Sequence, residues 1–356
     1  MTRRPVVRWV VVAAAVVVLL AALGAARLLW DRAHRTDLQR ALAAVPAGSL
    51  RVGFTDWAAV RNRLHVTGDS PADVRRLQSR AYDADLSAAS SIDEEGVALQ
   101  RLYGFGPATA TWEAYAQSRQ GAAMVLRLPD GTDFDALASR LRDDGYRQPA
   151  HDDGVWRGGA DLVSSLDPSL SPEVQYVVLL AGQHLVVTSD ASSYAATAAR
   201  VAAGNGDSLA DLDSVSTMAS RLAEPAAAMV WGRDFACRDL AMSQADAGDQ
   251  READQLISRA GQVSPLSGLV MAMAPDRTLT VAEQFESTDQ ARENLRARAR
   301  LAVGPAVGRG GSFADDFRLT SAKATGSTVL LSLRPKQRTG FVLSSLYDGP
   351  VIFATC

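Results

Sequence analysis

The chain has 356 residues, 47% hydrophobic and 22% charged, the composition of a folded globular protein rather than a disordered or collagen-like one. Its 37 Lys and Arg stand against 40 Asp and Glu with no long block of one sign, so the basic footprint of a nucleic-acid binder is missing. Two cysteines and four histidines, widely scattered, exclude a zinc finger, a haem-attachment motif and an iron–sulfur cluster, and no cofactor is expected.

Trp9 to Ala26 is an uncharged run of eighteen residues rich in Val, Ala and Leu, about the minimum that spans a bilayer as a helix. Arg3, Arg4 and Arg8 precede it and no acidic residue comes before Asp31. The positive-inside bias therefore predicts a cytoplasmic tail (1–8), a transmembrane helix (9–30) and an extracytoplasmic remainder. A cleaved signal peptide is the alternative, with Gly24 to Ala26 small enough for a peptidase, but the apolar core exceeds the usual h-region of about 7–15 residues. No Cys near the run is available to carry a lipid. Leu38, Ala41, Leu42 and Val45 then recur at helical spacing up to Pro46, so residues 31–46 read as a helical stalk, with His34 on a solvated juxtamembrane face.

Beyond the stalk the sequence reads twice, as α+β units over 47–224 and 225–356. PAGSLRVGFTDWA from Pro46 aligns with PAAAMVWGRDFA from Pro225, each an apolar strand, a Gly (Gly53, Gly232), then Asp plus an aromatic (Asp56-Trp57, Asp234-Phe235). In the first half the spacing predicts a strand at 49–55, helices within 71–103, a hairpin of 110–117 with 121–128 and a helix over 133–142. Strands at 154–158, 175–181 and 184–189 follow, then helical segments at 191–203 and 208–223. Ser91 with Glu94 has capping-box spacing, and Thr132 and Thr288 each stand where an N-cap is expected. The second half repeats the order with a strand at 226–232, a helix at 249–260, a hairpin of 267–274 with 278–286 turning at Pro275-Asp276-Arg277, a helix at 289–302 and strands at 316–322 and 327–334. The order βαββαβ in both halves predicts two tandem ferredoxin-like units after the transmembrane helix.

At TDWAAVR (55–61), MVLRLPDGTDFDALASRL (124–141) and GVWRG (154–158) the sequence resembles single-pass, membrane-anchored extracytoplasmic proteins of high-GC actinobacteria. The composition agrees, since only Lys323 and Lys336 of the 37 basic residues are Lys. The resemblance implies location and architecture and brings no catalytic residue with it.

Motifs that carry chemistry fail individually. No Ser sits in a G-x-S-x-G turn, and His34, His65, His151 and His184 have no local nucleophile partner. Gly104-Phe105-Gly106 runs into Pro107, and Gly308-Arg309-Gly310-Gly311 lacks the Lys of a phosphate loop and reads as a connector. Asp83, Asp85, Ser87, Ser91 and Glu94 match positions 1, 3, 5, 9 and 12 of a calcium loop, but Ala88 stands where Gly makes the turn, so an acidic loop and helix start is the better reading. Asp246, Asp249 and Glu252 likewise read as a solvated helix start. No catalytic or metal-binding residue is assigned.

Asp56-Trp57 and Asp234-Phe235 are the repeated polar feature. As a ligand rim, the two Asp would face each other across the seam between the halves; as structure, each Asp caps a helix and each aromatic is buried. Cys237 and Cys356 both lie beyond the membrane run in an oxidising compartment, where an even cysteine count predicts a disulfide; a buried free thiol plus a frayed terminal one is the alternative. The expectation is an envelope protein at the cell membrane that binds a protein, polymer or small ligand, the competitor being an envelope hydrolase whose site assembles only in space.

Overall fold

Leu38, Ala41 and Leu42 lie on one side of the first helix, α1 (Asp37–Ala44), and all three are buried. Of the stalk expected over 31–46, the described residues are helical only at Asp37–Ala44, and there the apolar stripe closes part of a core. The computed structural model describes residues 34–337 and 339–356. The membrane span expected over 9–30 lies outside the described residues, and no described helix is long and apolar enough to cross a membrane.

After α1 the chain runs β1 (Arg51–Thr55), α2 (Trp57–Leu64), α3 (Pro71–Asp83), α4 (Gly96–Leu102), β2 (Trp112–Ser118), β3 (Gly121–Arg127) and α5 (Phe134–Asp143). It continues through β4 (Trp156–Arg157), α6 (Ala160–Leu166), β5 (Tyr176–Leu180), β6 (Leu185–Ser189), α7 (Ser192–Ala202) and α8 (Asp213–Ala219). The second half holds β7 (Ala227–Gly232), α9 (Ala236–Asp239), α10 (Ala247–Ala260), β8 (Gly268–Met273), β9 (Leu279–Gln284), α11 (Thr288–Leu301), α12 (Phe313–Asp316), β10 (Phe317–Thr325), β11 (Thr328–Pro335) and α13 (Leu343–Tyr347). Most bounds fall within a few residues of those the spacing predicts.

Among the described residues eleven strands form one sheet in the order β10-β11-β9-β8-β7-β1-β2-β3-β6-β5-β4. Every neighbouring pair is antiparallel. This corrects the ferredoxin-like expectation, because a split βαβ places its first and third strands side by side and parallel. Here the closing hairpin of each half adds at the outer edge instead: β6 pairs with β3, and β11 with β9. The inner edge of β1 is thereby left for β7, with Gly53 opposite Met229, and the halves fuse through that pair into one sheet.

Two cores follow from strand alternation. Met124 and Leu126 of β3 and Trp231 of β7 face one core with Trp57, Leu77 and Leu141. Val125, Val230 and Val52 face the other, closed by Leu38 and Leu42 of α1, Ala195 and Ala198 of α7 and Met218 of α8. Burial on both faces explains the near-continuous apolar runs VQYVVLL and AAMVWG. Gly53 is required by a close approach, because a Cβ there would stand 2.3 Å from the backbone oxygen of Ala89. The edges are guarded in different ways: β4 has two residues, and β10 presents Arg318 and Lys323 to solvent.

Three capping expectations change. The N-cap of α5 is Asp133, accepting from the Ala136 N–H at 3.0 Å, and that of α11 is Ser287, accepting from Gln290 at 3.2 Å, so the caps lie one residue from Thr132 and Thr288. α4 begins at Gly96 with no side-chain cap, and Ser91 is engaged elsewhere. Asp246 does start a helix, accepting from Gly248 and Asp249 at the head of α10.

Candidate functional site

Asp56 ends β1 and caps α2, its Oδ1 accepting from the Ala59 N–H at 2.8 Å. It is buried, and carboxylate oxygens of Asp37 and Glu224 lie with one of its own within 4.8 Å of one another. Burial pushes Asp56 up to about 6, the charge of Asp37 adding to it, and burial with both neighbours raises Glu224 as well. These oxygens already have structural work. Glu224 Oε1 accepts from the first two N–H groups of α1, Asp37 at 2.7 Å and Leu38 at 3.3 Å, and Asp37 pairs with Arg40. The trio is a capping junction that ties α1, β1 and the chain just before β7 together.

Trp57 is fully buried and donates Nε1–H to Glu113 Oε2 at 3.0 Å. Glu113 in β2 also accepts from Ser90 Oγ (2.7 Å), Ser91 N (2.6 Å) and Ser91 Oγ (2.8 Å), and burial still holds its proton affinity above the usual carboxylate range. Asp234 lies on an exposed turn and pairs with Arg238 at 3.1 Å, while Phe235 is half-buried beneath the same guanidinium. Thus Asp56 is gathered with Asp37 and Glu224, and Asp234 stands outside that group.

The acidic loop has a different task. Asp85 is buried at φ +59°, and its Oδ2 accepts from Val342, Leu343 and Ser344 N–H groups while Oδ1 accepts from Ser344 Oγ. It therefore caps α13 from the opposite half of the sequence. Gly308–Gly311 is also engaged, since Arg309 donates to the carbonyls of Ser345, Asp348, Gly349 and Pro350.

A cleft of about 510 Å³ opens where β1 begins and the β2–β3 hairpin turns. Its walls come from the loop after α1 (Pro46–Gly48), the hairpin turn (Ser118–Gln120), one face of α7 (Tyr194, Thr197, Val201) and Asp207. The spacing 194, 197, 201 is a helix stripe, so α7 presents these side chains together. Arg119 of the turn and Arg200 of α7 both line the cleft, and among the described residues neither guanidinium has a hydrogen-bond or ion-pair partner. Tyr194 is 2% exposed, and its hydroxyl is buried with no partner. Sequence reading missed all three. Arginine at a hairpin turn and Tyr in an Ala-rich helix are ordinary by themselves, and what distinguishes them is convergence in space.

Cys237 and Cys356 are bonded, with Cα atoms 5.4 Å apart across 119 residues. The disulfide indicates an extracytoplasmic domain. The same terminal segment is held by Arg298 of α11, fully buried, which donates to Phe353 O at 2.8 Å, Thr355 O at 2.6 Å and Ser264 O at 2.7 Å. Its Nε lies 3.9 Å from Glu283 Oε2, and neither Glu283 oxygen has a hydrogen-bond partner among the described residues.

No family model matches the chain, and no curated relative does. Two crystal forms of TP0453, a Treponema protein, show a distant structural similarity, each with a TM-score of 0.39 and 11% identity. Form I aligns over 86% of this chain and 95% of its own, and form III over 86% and 96%.

Proposed function

We propose that the chain is a membrane-anchored, extracytoplasmic binding protein of the cell envelope, with residues 9–30 as the anchor and the Arg119–Arg200 cleft as its ligand site. The observation that carries this reading is the cleft itself: two unpartnered guanidiniums, of Arg119 and Arg200, line one concave surface. Supporting it are the disulfide, which belongs to an oxidising compartment, and the basic-then-apolar leader that faces the remainder outward. One wall, α7, packs against β3, β5 and β6, and the others are the loop after α1, the β2–β3 turn and the loop at Asp207.

Thr197→Trp tests this, because Thr197 sits on the cleft-facing stripe of α7 and an indole there fills the space. Saturation-transfer NMR of the full chain in nanodiscs against the low-molecular-weight fraction of the envelope is expected to show a bound component that the Trp variant loses. Binding of every component equally by both proteins, or no binding to the wild type, contradicts the assignment.

A further inference from the structure

We infer that the cleft takes a small, soluble molecule carrying one oxyanion, phosphate or carboxylate, together with hydroxyl or amino donors; this rests on the reading of the cleft as the ligand site. The argument begins with charge. Two guanidiniums and one carboxylate, Asp207, line the space, so the lining is net positive although the whole chain is formally -3. Arg101, Arg127 and Arg238 are each held by a carboxylate, of Asp167, Asp130 and Asp234, whereas Arg119 and Arg200 pair with none among the described residues.

Donor and acceptor inventory then narrows the ligand. A guanidinium offers a planar fork of N–H groups that matches the paired oxygens of phosphate or carboxylate. Thr197 Oγ1 already donates to Ser193 O, and Ser118 Oγ donates to Gly121 O and accepts from the Gln120 N–H at 3.0 Å, so each has a lone pair rather than a proton left to offer. With Asp207 they ask the ligand for donors. An oxyanion bearing hydroxyl or amino groups satisfies both sides, and a plain hydrocarbon or a cation does not.

The test uses the full chain in nanodiscs of zwitterionic lipid with sn-glycerol 1-phosphate as probe, followed by phosphorus NMR titration up to about 50 mM, far above the millimolar range of a weak site. Glycerol is the neutral control, and vesicles of phosphatidylglycerol test whether a lipid headgroup competes. Saturable binding of the phosphate is expected, with no response to glycerol and no displacement by vesicles. Arg119→Gln and Arg200→Gln are each expected to weaken it about tenfold, which is about 1.4 kcal/mol, and the pair together about a hundredfold. Absence of saturable binding, equal affinity in the double Arg variant, or a response to glycerol overturns the oxyanion assignment; displacement by vesicles overturns its soluble source. If an envelope component still binds in a Thr197→Trp-sensitive way when the Arg variants are silent, the oxyanion assignment fails and the binding reading stands. Loss of any Thr197→Trp-sensitive binding removes both.

Discussion

Ser344 donates its hydroxyl to Asp85 Oδ1 at 2.6 Å although the two residues are 259 apart in sequence. The other oxygen of the same carboxylate takes three consecutive backbone N–H groups, so Asp85 serves α13 as an N-cap supplied from the opposite half of the chain. Asp85→Ala leaves those buried donors without an acceptor. A loss of about 2–3 kcal/mol is expected in urea unfolding of the full chain, with Asp85→Asn losing less because the amide oxygen keeps part of the cap. Equal stability of the Ala variant would show that water replaces the carboxylate at no cost.

Glu113 gives a second, chemically different expectation. Its two oxygens take four donors, and a glutamine would turn an NH₂ toward at least one of them. Glu113→Gln is expected to lower stability by about 1–3 kcal/mol. The loss should come with a changed near-ultraviolet signal from Trp57, whose indole N–H is one of those donors. A wild-type spectrum and midpoint would contradict this.

Burial, rather than a neighbouring charge, governs the pH response. Glu283 and Glu95 are pushed up to about 7 and Asp56 to about 6, in each case chiefly by desolvation. For each of them the folded state holds its proton more tightly than the unfolded state, whose carboxylates titrate near about 4. Stability from these groups is therefore fully present below the unfolded value and is lost as pH rises through about 6 to 7, by up to about 1.4 kcal/mol per unit for each group. Melting temperature is expected to fall between pH 5 and pH 7.5. Glu283→Gln should flatten that fall while leaving the pH 5 value close to wild type, because the protonated acid and the amide are both neutral. A melting temperature that climbs across the same interval would contradict the assignment.

Closing a loop across 119 residues gives the disulfide a loop-entropy contribution of at most about 4–5 kcal/mol. Arg298 independently clamps the carbonyls of Phe353 and Thr355. Cys237→Ser/Cys356→Ser should thus lower the unfolding midpoint yet leave a folded chain, and adding Arg298→Met to that double variant should release the terminal segment to proteolysis. Survival of the triple variant under limited chymotrypsin, which can cut at Phe341, Tyr347 and Phe353, would contradict the clamp.

Local order was readable where the chain pays attention only to its neighbours. The hairpin turning at Pro275-Asp276-Arg277 appears as β8 and β9, with Arg277 at φ +67°, and the β5 and β6 runs announced themselves through unbroken β-branched and aliphatic residues. Strand order was not readable in the same way. The sequence βαββαβ is compatible with a split βαβ and with the antiparallel sheet observed, and what separates them is whether the last strands pair with β1 or with β3, a non-local choice. The repeated Asp56-Trp57 and Asp234-Phe235 motif similarly hid two environments, one buried in a capping junction and one exposed beside Arg238. Arg119, Tyr194 and Arg200 carry no shared spacing, so only the fold brings them to one cleft.

The most direct measurement of the central claim places a photo-reactive amino acid at Gly48, on the cleft wall, where a side chain meets nothing within 4 Å. The control position is Gly182, equally open, on the β5–β6 turn at the far end of the sheet. Irradiation of intact cells should give a defined small-molecule adduct from position 48, absent from position 182 and lost when Thr197→Trp fills the cleft. Adducts of equal yield and identity at both positions, or an adduct at 48 that Thr197→Trp leaves intact, would contradict a ligand site in this cleft.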